Sequence, residues 1–209
     1  MSRGRFITFE GIEGAGKSSL ARLLIEALKA RNIPALLTRE PGGTALAERI
    51  RELVLQPQPE TIGAEVETLL MFAARGIHLA NLIRPALAAG QWVLCDRFTD
   101  ATRAYQGGGR GVAATLIEEL AAAIHGDLRP DLTLLLDVPV EVGLSRARAR
   151  SGARDRFDEE RAGFFERVRA SYLEIARREP GRVRIIDASQ PLEAVLAQSR
   201  AALTALGPS

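Results

Sequence analysis

Residues Gly11, Ile12, Glu13, Gly14, Ala15, Gly16, Lys17 and Ser18 read G-I-E-G-A-G-K-S and fit the pattern G-x-x-x-x-G-K-[ST]. An apolar run at 6–9 precedes the loop, and an amphipathic stretch opening with Ser19 follows it. That is the chemistry of a phosphate cradle. Glycines let successive backbone N–H groups turn inward, the following helix adds its positive end, Lys17 reaches the outer phosphates, and the Ser18 hydroxyl can ligate magnesium. A glycine-rich turn with a chance Lys-Ser would lack the strand before it and the helix after it.

The choice of cation sharpens the point. The chain holds 28 Lys plus Arg, yet lysine occurs only at Lys17 and Lys29. A flexible point charge between two phosphates suits this position better than the planar guanidinium used almost everywhere else.

A triphosphate site also needs an acid near the metal. Asp96 closes the apolar run at 92–95 and is followed by Arg97, so one strand end delivers a carboxylate and a guanidinium together. The arginine can fork onto a phosphate while the aspartate orients metal-bound water or the arginine itself. Asp137 ends another strand pattern, but Val138-Pro139 follow it at once, which favours a structural role. The stretch 149–156 holds Arg150, Arg154 and Arg156 around a glycine, the makeup of a lid that brings forked cations to a transferring phosphoryl group. Arg146 and Arg148 read instead as a solvated helix end or as neighbours of a nucleotide base.

His78 and His125 are the only histidines, and neither sits in a nucleophile, base or metal pattern. Phosphate-to-phosphate transfer needs no general base, because an acceptor phosphate is already anionic at neutral pH; positioning and charge neutralisation suffice.

These residues must be carried by a scaffold. Strands are expected at 6–9, 35–38, 92–95, 133–137 and 183–187, and helices at 18–31, 45–55, 64–89, 113–124, 140–150, 159–178 and 192–206. Such alternation predicts an α/β fold, a five-stranded parallel sheet with helices on both faces and its ligand edge at the carboxyl ends of the strands. Two connections, 39–44 and 105–111, are rich in glycine, carry arginine and read as flexible loops.

Composition bounds the rest. With 209 residues and 46% hydrophobic content the chain fits one domain. A formal charge of +2, with arginines scattered among 26 acids, does not suggest a nucleic-acid binder. The lone Cys95 points to a reducing compartment, and neither a membrane-length apolar run nor a signal peptide is read in the sequence.

The phosphate loop, the loop R-E-P-G-G-T at 39–44, the strand end C-D-R-F at 95–98 and the stretch A-Y-Q-G-G-G-R-G at 104–111 resemble, in order and spacing, the bacterial thymidylate kinases. The resemblance covers the chain and implies a nucleoside monophosphate kinase-like P-loop fold. It also implies transfer of the γ-phosphoryl group of ATP, with Mg2+, to thymidine monophosphate. The product is the diphosphate, a precursor for DNA synthesis. It further implies a cytoplasmic homodimer and one domain, 1–209, with a core, an acceptor-binding region at about 39–111 and a lid at about 146–157.

Matched position by position, the resemblance implies that Glu13 faces the acceptor sugar, near its 3′-hydroxyl, and that Arg39, Arg51 and Arg97 surround the acceptor phosphate. It implies likewise that Thr102 and Gln106 hydrogen-bond the pyrimidine, that Tyr105 crowds the 2′-position, and that Pro41 joins the same wall. The family places a phenylalanine four residues before an arginine, ring on thymine and guanidinium on its carbonyl edge. Here Phe72 is three residues before Arg75 and Met71 is four; Phe72 is the expected stacking ring, with Met71 able to supply part of that contact. Gly14 and Ala15 stand where one branch of the family carries a phosphate-loop arginine, so the chain resembles the branch that draws its arginine from the lid.

Two other readings of the phosphate loop are a kinase for another nucleoside monophosphate and a nucleotide-driven switch. Guanine-specific switches carry [NT]-K-x-D, which a chain with lysine only at 17 and 29 does not contain, and the partitioning ATPases carry an extra lysine early in the loop, where this chain has I-E-G-A at 12–15.

Overall fold

A computed structural model describes residues 3–151 and 158–206. In chain order the strands are β1 (Phe6–Glu10), β2 (Ala35–Arg39), β3 (Trp92–Asp96), β4 (Leu132–Asp137) and β5 (Val183–Asp187). The helices are α1 (Lys17–Lys29), α2 (Ala45–Leu55), α3 (Ala64–His78), α4 (Arg84–Ala88), α5 (Thr99–Thr102), α6 (Ala114–Ile124), α7 (Val140–Ser151), α8 (Asp158–Arg178) and α9 (Leu192–Thr204). π-helical turns at Leu79–Ile83 join α3 to α4, and others at Arg103–Gly109 extend α5.

The five strands form one parallel sheet in the order β2-β3-β1-β4-β5. Every residue of β1 is buried, and alternate side chains serve opposite faces, as the period of a strand requires. Ile7 and Phe9 join Leu20 and Leu24 of α1 and Val168 and Tyr172 of α8; Phe6 joins Val93, Leu79, Ile83 and Phe98 on the other face. The registers Phe9↔Asp96 and Arg39↔Asp96 bring the carboxyl ends of β1, β2 and β3 side by side. The chain leaves β1 for β2 on one side and reaches β4 on the other, so a crevice opens where the winding reverses.

The stretch 105–111 is not the flexible loop its glycines suggest. Tyr105 to Gly109 belong to the π-helical turns that continue α5. Those glycines answer to close packing: a Cβ on Gly108 would lie 2.6 Å from Cβ of Ser171, and one on Gly109 would run into the Phe164 ring, both on α8.

The continuous helix Ala64–Ala88 is, by length and composition alone, apolar enough to cross a bilayer, which corrects the sequence reading that no such run exists. It packs against α2, α6 and β3 as a core helix.

Candidate active site

The phosphate loop runs from the end of β1 into α1. Gly14 adopts φ +73°, and any side chain there would collide with the backbone carbonyl of Gly143, so loop and α7 can approach only through glycine. Gly16 caps α1 in the left-handed region, leaving Ser18 and Ser19 exposed on its first turn, and its carbonyl takes the Ser19 and Leu20 amides at 3.1 and 3.0 Å. Ile12 and Ala15 face inward and anchor the loop in the main core.

Lys17 folds back over the loop, its Nζ donating to the carbonyls of Gly11 at 2.9 Å and Ile12 at 2.8 Å. Burial, and next the positive charge of Arg97, bring its pKa down to about 7, against the pull of Asp96, Glu10 and Glu13. The Ser18 hydroxyl donates to Asp96 Oδ2 at 2.7 Å. A hydroxyl and a carboxylate meeting at the mouth of a phosphate loop are hard oxygen donors of the kind magnesium takes.

Beside the loop lies a cleft of about 360 Å³ whose wall includes Glu13, Pro41, Arg51, Arg75, Arg97, Thr102, Tyr105 and Gln106. Glu13 thus belongs to both loop and cleft. Arg97, immediately after β3, has φ +74°, a conformation that costs a side-chain-bearing residue about 1–2 kcal/mol. Its Nη2 donates to the Tyr105 hydroxyl at 2.8 Å, its Nη1 to the Tyr172 hydroxyl at 3.3 Å. Burial disfavours the guanidinium's charge, but the tyrosine oxygens and Glu10 outweigh it, and its pKa is raised. Arg51 donates to the carbonyl of Pro41 at 2.9 Å, tying α2 to the 39–44 loop.

At the far end, Arg75 is 3% exposed and its Nε pairs with Glu40 Oε2 at 2.7 Å. Its Nη2 donates to Thr102 Oγ1 at 3.0 Å, and its Nη1 is buried with no hydrogen-bond partner. An orphaned buried donor costs about 1–3 kcal/mol, and this one belongs to a side chain on the cleft wall. Gln106 donates to Glu67 Oε1 at 2.7 Å, and Arg110 pairs with the other oxygen, Oε2, at 3.2 Å.

The structure corrects two site assignments and moves a third out of view. Phe72 is not on the cleft; it is 1% exposed within an apolar cluster with Val112, Ile117 and Ala121, and Met71 takes its place on the cleft wall. One residue is about 100° of helix, and four residues, not three, return a side chain to the Arg75 stripe. Phe72 still supports the site, since the Arg75 guanidinium sits 4.6 Å from its ring and 5.1 Å from that of Phe98. Arg39 is turned to Glu48 of α2 at 2.8 Å and takes no part in the cleft wall. Arg154 and Arg156 lie outside the described residues, as does the side chain of Arg150 at the end of α7. Arg146 donates to the carbonyl of Ala188, and Asp137 is gripped by Arg169 at 2.7 and 2.9 Å, a structural pairing.

Sequence reasoning missed Glu10, Glu40, Glu67 and Tyr172. The signal for Glu67 was present: Glu67, Met71 and Arg75 recur every fourth residue along one stripe of α3. Glu40 accepts from Arg75 and meets His78 Nδ1 at 3.1 Å, while His78 Nε2 meets Thr38 Oγ1 at 2.8 Å. Cys95 lies close enough that one ligand atom from each of Glu40, His78 and Cys95 falls within 4.8 Å of the others. Burial and the Glu40 charge raise the Cys95 pKa well above that of a free thiol, and the Arg75 cation already fills the carboxylate's needs, so the cluster reads as a hydrogen-bonded brace.

Comparison with known proteins agrees with this geometry. The family model described as thymidylate kinase matches residues 9–198. A thymidylate kinase of Pseudomonas savastanoi pv. phaseolicola is 59% identical over 194 residues, covering 93% of this chain and 92% of that protein. One from Alkalilimnicola ehrlichii is 57% identical, covering 97% and 94%. The crystal structure of thymidylate kinase from Ehrlichia chaffeensis superposes with a TM-score of 0.78 at 34% identity, covering 97% of this chain and 99% of that one. Similarity of this depth runs the length of a fold whose phosphate loop and cleft share a wall, and the chain belongs to the thymidylate kinase family.

Proposed function

We propose that this protein transfers the γ-phosphoryl group of ATP to thymidine monophosphate, giving thymidine diphosphate and ADP. The observation that carries the reading is the junction at Glu13, where a phosphate loop and a nucleotide-sized cleft adjoin so that two nucleotides can meet phosphate to phosphate. ATP takes the loop Gly11 to Ser19, and the monophosphate takes the cleft.

In this reading Lys17 leaves the loop carbonyls for the outer phosphates of ATP and neutralises charge that grows on the transferring group. Arg97, with Arg51, forks onto the acceptor phosphate and sets an anionic oxygen in line with the γ-phosphorus; no side chain need remove a proton. Arg75 Nη1 donates to a base carbonyl, with Met71, Thr102 and Gln106 along the base. The Tyr105 ring, with Pro41 opposite, fills the space a ribose 2′-hydroxyl would need, and Glu13 meets the sugar. Ser18 and Asp96 would hold Mg2+, which supplies charge neutralisation between donor phosphates when bound.

The same reading assigns the core, acceptor region and lid to one domain, gives Arg150, Arg154 and Arg156 to the lid, and has the enzyme act as a cytoplasmic homodimer with nucleotides rather than nucleic acid as its partners. Family membership supports these assignments.

An ATP-dependent assay against the monophosphates of thymidine, deoxyuridine, deoxycytidine, adenosine and guanosine, read as ADP release, tests reaction and acceptor together. Strong preference for thymidine monophosphate is expected. Preference for another acceptor, or ADP release independent of any acceptor, would overturn the reading.

A further inference from the structure

Tyr172 lies on α8, far along the chain from both the phosphate loop and the acceptor cleft, yet its hydroxyl ends at their junction. The residue is 2% exposed and packed in the main core, a setting in which a phenyl ring would bury the same surface without the cost of desolvating an oxygen. The oxygen is fully used. It accepts from Arg97 Nη1 at 3.3 Å and donates to Glu10 Oε2 at 2.7 Å.

Glu10 completes the arrangement from the other side. It is the last residue of β1, has no exposed surface, and its second oxygen accepts from the backbone N–H of Phe98 at 2.7 Å. One carboxyl therefore holds the peptide that follows Arg97 and, through Tyr172, the tip of the Arg97 side chain. Between these two grips the Arg97 backbone sits at φ +74°. A residue in that region persists where its surroundings over-determine it, and here a strand end and a helix do so.

We infer that Tyr172, backed by Glu10, is a positioning residue for the acceptor phosphate: acting through Arg97, it sets the guanidinium in its receiving orientation before the nucleotide arrives. The inference rests on the proposed role of Arg97 at the acceptor. An arginine already held in place loses less side-chain freedom on binding, and that saving appears as acceptor affinity. Tyr172 touches neither nucleotide in this account, so its loss should fall on one substrate alone.

Steady-state kinetics of the full chain with Tyr172→Phe, which removes the oxygen and keeps the ring, test this. The KM for thymidine monophosphate is expected to rise about three- to tenfold, with the KM for ATP within about twofold of the parent. In an Arg97→Ala background the same substitution should add nothing further, because the group it acts through has gone. An unchanged acceptor KM, an equal rise for both substrates, or a full additional loss in the Arg97→Ala background would each overturn the inference. If Tyr172→Phe does not fold, Glu10→Gln, assayed above about pH 8 where the parent carboxyl is ionised and the amide is the weaker acceptor, carries the same test with the same selective rise expected. The parent enzyme is assayed alongside: should it show no thymidylate-dependent turnover, the proposed function fails, and this inference with it; turnover by the parent with no selective effect in the variants sinks the inference alone.

Discussion

The guanidinium of Arg97 lies 4.4 Å from the centre of the Tyr105 ring while donating to that ring's own hydroxyl at 2.8 Å. One tyrosine thus offers the arginine both a π face and an oxygen, and the two functions separate by substitution. Tyr105→Phe keeps the ring and should raise the thymidine monophosphate KM about three- to tenfold, as expected for loss of a hydrogen bond to a charged group, with the preference for deoxyribose retained. Tyr105→Ala should in addition narrow the ratio of kcat/KM between thymidine and ribothymidine monophosphates. An unchanged ratio would mean that the ring does not police the sugar.

Removing Arg97 is the harsher change. Arg97→Ala deletes a charged fork and should raise the acceptor KM by about 10- to 100-fold, leaving the ATP KM within about threefold. Equal losses for both substrates would contradict its placement at the acceptor phosphate.

Lys17 makes a thermodynamic prediction as well as a kinetic one. With a pKa near 7 in the free protein it is largely neutral at pH 8, its ammonium disfavoured by burial and by Arg97. Triphosphate beside it favours the charged form, so ATP binding at pH 8 should take up a proton from the buffer. Calorimetry in buffers of different ionisation enthalpy reads that uptake directly, and Lys17→Ala should abolish both the uptake and turnover while retaining the fold. Binding without proton uptake would mean that the lysine is already charged.

Glu10 links the site to stability. Burial, then the charge of Asp100, lifts its pKa to about 8 against Arg97, Tyr172 and the Phe98 amide. Unfolded, the carboxyl titrates near 4.5. Between those values the folded chain binds a proton that the unfolded chain has released, so this contribution to stability is full below about 4.5 and is lost as pH rises through about 8. Glu10→Gln should therefore flatten the fall in unfolding free energy between pH 5 and pH 8, measured by denaturant titration. A variant whose stability falls over that range as steeply as the parent's would remove Glu10 as the cause.

The Glu40–Arg75 pair, 4% and 3% exposed, is a buried ion pair whose partners depend on each other. Glu40→Gln leaves the guanidinium without its countercharge and should cost about 3–5 kcal/mol, at about 2–4 °C of melting temperature per kcal/mol in a chain of this size. The thymidine monophosphate KM should rise with it, since Arg75 no longer has a fixed orientation. A melting temperature within a degree of the parent would show that the pair is not a support.

The phosphate loop was legible in the sequence because it is a backbone conformation written in contiguous residues: glycines where the chain must curl, Lys17 and Ser18 at the fixed places of the pattern, a strand before and a helix after. The alternation of strand and helix likewise follows from local periodicity, and Asp96–Arg97 stood out as the end of a strand. The rotation of a helix about its own axis is a different kind of quantity. Whether Met71 or Phe72 faces the cleft turns on how α3 seats against α6, and packing places Phe72 among Ile117 and Ala121. The glycines at 108 and 109 were visible, but their cause was α8 pressing on them, a contact made across more than fifty residues. Glu10 and Tyr172 are 162 positions apart, and no local pattern marks either as a partner of Arg97. Local backbone preference is set by neighbours in the chain, whereas the aim of a buried charge is set by whichever distant groups satisfy it, and those are brought within reach only when the sheet and its helices close.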